Sequence, residues 1–95
     1  IVILFLTLAY YLMKTINFTT KGTCCRQILI ELDDANRVMN VKFNGGCNGN
    51  LKGIAALITG MDADEVRKRL AGIKCGMKET SCPDQLAKAL ESLDD

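Results

Sequence analysis

The chemistry this sequence can offer rests mostly on five cysteines: Cys24, Cys25, Cys47, Cys75 and Cys82. An ionised thiol is both a metal ligand and a nucleophile. The chain contains no histidine, which removes the commonest general base and any mixed Cys/His metal site. An odd number of cysteines at irregular spacing does not suit a secreted disulfide framework. Four of them, Cys24, Cys47, Cys75 and Cys82, each stand at the predicted end of an element. Together they would make a closed tetrahedral thiolate set, suited to zinc or to an iron–sulfur cluster. No C-x-x-C knuckle is present, so spacing leaves two alternatives open: inert buried thiols, or redox and nucleophilic use. Cys25 reads as the spare thiol, because strand neighbours point to opposite faces; a strained disulfide with Cys24 is the other reading.

The stretch TSCPDQLAKAL, residues 80–90, sharpens the question. Pro83 suits the first helical position, where its missing N–H costs nothing, and this places Cys82 at the N-cap. Cys47 lies in a glycine-rich loop, NGGCNGN, that also runs into a helix. Both thiols would then sit at the positive end of a helix dipole, where the thiolate is favoured and the pKa depressed. Backbone N–H groups of the loop residues Gly45, Gly46, Asn48, Gly49 and Asn50 would support the sulfurs. The same loop, with Lys52 nearby, has a phosphate-binding reading. However, the G-x-x-x-x-G-K-[ST] frame is absent and no βαβ unit surrounds it. The remaining carboxylates offer no catalytic pair: Asp33 and Asp34 are turn residues, and Asp94 and Asp95 are tail.

The elements that must position these residues can be read from periodicity. Ile16 and Phe18 alternate in a first strand ended by Gly22. Ile28, Ile30 and Leu32 share one face of a second strand, and Met39, Val41 and Phe43 one face of a third. The short DDAN turn, residues 33–36, makes the second and third strands an antiparallel hairpin. A helix follows, capped by Asn48 or Asn50 and ended by Gly60. Asp62 and Glu65 have capping-box spacing for the next helix, whose inner face would carry Val66, Leu70 and Ile73. Its exposed face, DADEVRKRL, has charge pairs at i,i+4. The last helix runs from Pro83 to about Leu93, with Leu86, Leu90 and Leu93 inward. Strands first and helices after predict an α+β fold: a small antiparallel sheet with about three helices on one face.

Ninety-five residues allow one domain, expected over residues 13–95. A net charge of +1 gives no electrostatic case for nucleic acid or an anionic membrane. Residues 1–12 form an apolar head, shorter than the roughly 20 residues a bilayer span needs. It reads as upstream readthrough or a misplaced start before Met13, with a truncated membrane or signal segment and an extra buried element as alternatives. No membrane partner is expected for residues 13–95, and clustered thiols point to a reducing, cytoplasmic setting.

KGTC, GGCNGNLKGI, GMDADEV and GIKCGMKETSCPDQLAKAL, in this order, resemble the TSCPD-domain family over about residues 15–93. The resemblance maps onto Cys24, Cys47, Cys75 and Cys82, with Cys25 a departure. The family includes small stand-alone bacterial proteins and a domain appended to some adenosylcobalamin-dependent ribonucleotide reductases. It therefore implies an accessory role in deoxyribonucleotide synthesis, with a ribonucleotide reductase or another protein as partner and adenosylcobalamin only through that partner. Stand-alone members carry the label ribonucleoside-diphosphate reductase by association. That catalysis needs a radical-bearing barrel, a substrate site and a cobalamin site, which a chain of this length cannot house. A more distant similarity is to iron–sulfur scaffold proteins, in which Cys24, Cys47 and Cys82 would take the ligand places. Ser81 stands where the scaffolds have histidine, and Cys25 where they have aspartate. The additional Cys75 implies a closed site favouring stable zinc over a transferable cluster; a thiol relay through Cys75 and Cys82 is the other alternative.

Overall fold

The computed structural model describes residues 14–92; the apolar head, Leu93 and the acidic tail lie outside the described residues. The architecture is α+β as expected: three antiparallel strands in the order β1-β2-β3, then three helices. The strands are β1 (Lys14–Thr19), β2 (Cys25–Leu32) and β3 (Val38–Gly45). The helices are α1 (Asn48–Ile58), α2 (Ala63–Leu70) and α3 (Cys82–Glu91).

Alternation on β2 decides which side is covered. Ile28, Ile30 and Leu32 are fully buried. Across the sheet, Ile16 pairs with Ile30, Phe18 with Ile28, Ile28 with Phe43 and Ile30 with Val41. This apolar face packs against Ile58 of α1, Ala63 and Val66 of α2, and Leu86, Ala89 and Leu90 of α3. One continuous core thus joins the sheet to all three helices, and contact of this kind supplies most of the stability of a small domain.

Two irregularities in the ladder change the facing expected from simple alternation. Glu31 pairs with Asn40 while Leu32 pairs with Val38, so Met39 is an extra residue on β3. The bulge turns Val38 inward, fully buried, and leaves Met39 47% exposed, correcting its expected place on the inner face. At the other end Cys25 pairs with Gly45 and Gln27 with Asn44, which makes Arg26 the extra residue. Cys25 is thereby turned inward and is 2% exposed.

The DDAN turn forms as expected. Asp33 Oδ1 accepts from the N–H groups of Ala35 and Arg37 at 3.0 and 2.8 Å, and Asn36 takes the left-handed φ of 63°. Those bonds, the Arg37 N–H first, hold the Asp33 carboxyl below its ordinary range. The segment after α1 then closes on the start of β3: Gly60 N–H donates to the Val38 carbonyl at 2.7 Å and Val38 N–H to the Met61 carbonyl at 2.8 Å. Gly60 ends α1 with φ 91°, as expected. Asp62 does occupy the N-cap of α2 but makes no side-chain capping bond, so the capping box does not form. The exposed charge pairs do form, Asp64 with Lys68 at 3.2 Å and Glu65 with Arg69 at 2.8 Å. The helix stops at Leu70, and Gly72 takes φ 85°. Ile73 therefore falls beyond the helix and is 42% exposed, not on its inner face.

Candidate functional site

The six residues from Thr80 to Gln85 organise the region around the cysteines. Ser81, not Cys82, is the N-cap of α3: its Oγ accepts from the Asp84 N–H at 3.1 Å. Cys82 and Pro83 are the first two residues of the helix. Proline tolerates either place, since neither N–H would have an intrahelical partner; that ambiguity explains the one-residue difference from the expected cap. The other side of the Ser81 hydroxyl donates to the Ile73 carbonyl at 2.6 Å.

Asp84 and Gln85 extend this anchoring to two loops. Asp84 Oδ1 accepts from the Gly72 N–H at 2.7 Å, and Oδ2 from the Thr80 hydroxyl at 2.5 Å. Those bonds, Thr80 first and Gly72 second, hold the buried Asp84 carboxyl below its ordinary value of 3.8. Gln85 Nε2 donates to Thr80 Oγ1 at 3.0 Å, and its Oε1 accepts from the Lys21 N–H at 3.1 Å. Asp84 thus ties down the loop that carries Cys75, and Gln85 the loop that carries Cys24. Cys75 is further held by its N–H, which donates to the Thr80 carbonyl at 3.2 Å, and by a turn in which Lys78 N–H reaches the Cys75 carbonyl at 3.0 Å.

On the opposite side the glycine-rich loop approaches closely. Gly46 has φ 83°, and a Cβ there would stand 2.9 Å from Leu51 Cδ1 and 3.3 Å from the Cβ of Cys25. Only glycine combines that φ with that approach. The loop delivers Cys47 to the N-cap of α1, without a side-chain capping bond. Asn48 and Asn50 lie inside the helix, so neither is the expected cap.

These segments enclose one cleft of about 530 Å³ lined by all four predicted ligands, Cys24, Cys47, Cys75 and Cys82. Gly49 and Asn50 of the loop also line it, together with Lys74, Lys78 and the apolar Ile54, Leu57 and Ile73. Asn48 lies elsewhere, on a separate hollow beside Lys42 and Phe43, and Gly45 and Gly46 shape the loop without lining the cleft. Cys24, Cys47 and Cys75 are exposed, whereas Cys82 and Cys25 are buried, and all five thiols are free. Among the described residues no three Cys, Asp or Glu side chains are gathered closely enough to hold a metal ion. The donor set suits zinc or an iron–sulfur cluster in kind and number, but its spacing is that of an open cleft.

The electrostatics of Cys82 run opposite to the expectation from the helix dipole. Burial pushes its thiol up from the ordinary value of 9.0, and the neighbouring Cys25 side chain adds to that push. Removing a thiolate from water disfavours its charged form. Cys25 is the residue that sequence reasoning undervalued. It was read as the spare thiol, facing away from Cys24, whereas the bulge at Arg26 packs it with Leu51 and Cys82. No residue type in the sequence marks that bulge.

The model of the TSCPD domain matches residues 10–94. The chain belongs to the TSCPD domain family. The Thr80–Asp84 stretch just described spells the family's name, and in this TSCPD domain Thr80, Ser81 and Asp84 anchor or cap, while Cys82 and Pro83 line the cleft. A search of curated proteins found no match, and neither did a search of solved structures. Among the described residues no helix is long and apolar enough to cross a membrane.

Proposed function

We propose that this TSCPD domain is a metal-binding accessory module in which Cys24, Cys47, Cys75 and Cys82 hold one soft metal ion. The observation that carries the reading is the shared cleft: four cysteines from four separate segments line a single cavity. Two hydrogen-bonded anchors, Asp84 and Gln85, set the two loops around it. Four thiolates with no harder donor favour zinc, which takes a closed tetrahedral shell, over a transferable iron–sulfur cluster. Binding draws the exposed Cys24, Cys47 and Cys75 over the buried Cys82. The metal displaces the thiol protons to solvent, and its charge offsets the cost that burial imposes on the Cys82 thiolate. The module would act beside a ribonucleotide reductase or another protein of deoxyribonucleotide synthesis, with any adenosylcobalamin on the partner, in a cytoplasmic setting that keeps thiols reduced.

The test is thiol protection. The reduced chain is alkylated with and without one equivalent of zinc, and modified residues are mapped by mass spectrometry. The expected result is that Cys24, Cys47 and Cys75 react freely without zinc and are protected together with it. Equal alkylation of these three in both samples would overturn the reading.

A further inference from the structure

Cys25 has no task in the four-thiolate site, yet it is the most deeply placed of the thiols. Cys25 and Cys82 pack together with Leu51 in a small buried cluster apart from the main core. They come from the first residue of β2 and the first residue of α3, distant in sequence. Their access differs. Cys82 lines the cleft, whereas Cys25 lies behind it and does not. Thr23 Oγ1 stands 3.3 Å from Cys25 Sγ, within reach to hydrogen-bond that sulfur. A thiol in the cleft wall, mostly buried, with a second packed beside it from the protein side, is a pair between which a disulfide can close.

We propose that Cys25 and Cys82 form a dithiol pair that closes reversibly to an intramolecular disulfide when the cleft meets a small disulfide of the glutathione class. In the first step the Cys82 thiol gives up its proton and its sulfur attacks one sulfur of glutathione disulfide. That S–S bond breaks, and one glutathione leaves as a thiolate and takes up a proton. In the second step the Cys25 sulfur, having lost its proton, attacks the Cys82 sulfur of the mixed disulfide, and the second glutathione leaves and is protonated. Two protein thiols are oxidised by two electrons, and one glutathione disulfide is reduced to two thiols. Excess reduced thiol reverses both steps. One consequence, which rests on the four-thiolate reading, is that the closed pair removes Cys82 from the metal site. Oxidation would then switch metal binding off.

The experiment uses the full chain, reduced and zinc-free, incubated with one equivalent of glutathione disulfide until exchange is complete, so that first adducts on the exposed Cys24, Cys47 and Cys75 pass on to the most stable disulfide. The reaction is quenched with acid, free thiols are alkylated, and peptides are mapped without reduction. The expected product links Cys25 to Cys82 and carries alkyl groups on Cys24, Cys47 and Cys75, three where the reduced chain carries five. Cys25→Ser is expected to stop at a glutathione adduct on Cys82. A link between Cys75 and Cys82, or adducts without an internal link in the unsubstituted chain, would overturn the proposal. Zinc affinity of reduced and oxidised chains is measured in parallel. Oxidation is expected to weaken it by more than the roughly 10–100-fold that loss of an outer-shell support costs. Unchanged zinc affinity would overturn the switch. A Cys25–Cys82 link in a chain that never takes zinc would overturn the four-thiolate reading and leave the pair standing.

Discussion

Replacing Asp84 by asparagine should destabilise the domain by about 2 kcal/mol near neutral pH, and the loss should fade in acid. Asparagine keeps one acceptor for the Gly72 N–H, now met at 2.7 Å. Its NH₂ group, however, would face the Thr80 hydroxyl, which donates to Asp84 Oδ2 at 2.5 Å. Thr80 Oγ1 already accepts from Gln85 Nε2 at 3.0 Å. The Thr80 proton would therefore lose its acceptor inside a buried site, a cost of about 1–3 kcal/mol. The attraction to Lys88, 3.6 Å away and half exposed, adds little. Because the folded carboxyl titrates below its ordinary 3.8, its ionised form stabilises the fold at every pH above that value. That contribution drains away as pH falls through the lower folded value. Asp33 and Asp64 are also lowered, but both remain in the variant and cancel in the difference. Urea unfolding of parent and Asp84→Asn at neutral pH and at about pH 2.5 is the assay. A difference below about 0.5 kcal/mol at neutral pH, or one that does not shrink in acid, would refute the anchoring role.

Other residues separate the finer claims. Ser81→Ala removes both the cap to the Asp84 N–H and the bond to the Ile73 carbonyl. It should cost about 1–2 kcal/mol by thermal unfolding and speed alkylation of Cys75 as its loop loosens. Gly46→Ala should cost about 1–3 kcal/mol through its positive φ and the contact at 2.9 Å with Leu51. Gly53→Ala, inside α1 with nothing within 4 Å, should stabilise by about 0.5–1 kcal/mol; melting curves of the two variants should move in opposite directions. Val38→Ala should cost about 2 kcal/mol and Met39→Ala under about 0.5, and the reverse order in urea unfolding would reject the bulge between them.

The order of elements and most of the core were legible because periodicity reports local backbone geometry directly. Ile28, Ile30 and Leu32 alternate, and Leu86 and Leu90 recur at helical spacing, so the sheet and last helix followed from pattern alone. The four cleft cysteines were legible as residues at element ends. What alternation could not report is where the ladder slips: an extra residue at Met39 and another at Arg26 reversed the facing of Val38, Met39 and Cys25. The cap of α3 was misread for a related reason. Proline tolerates the first and second helical positions alike, so only the Ser81 hydrogen bond distinguishes Ser81 from Cys82. The pKa of Cys82 depended on burial among Leu51 and Cys25, a tertiary fact with no local signature. For the same reason serine in place of Cys82 brings no improved cap, since Ser81 already holds that position.

The central claim is that the cysteine cleft holds a soft metal, and the most direct measurement is the metal content and visible spectrum of the full chain. The protein is purified without oxygen beside its Cys82→Ser variant. The account predicts a colourless parent with one zinc per chain and a variant that has lost both the metal and much of its stability, because the free energy of binding a structural metal is folding free energy. No metal in either protein, with the variant as stable as the parent, would contradict it.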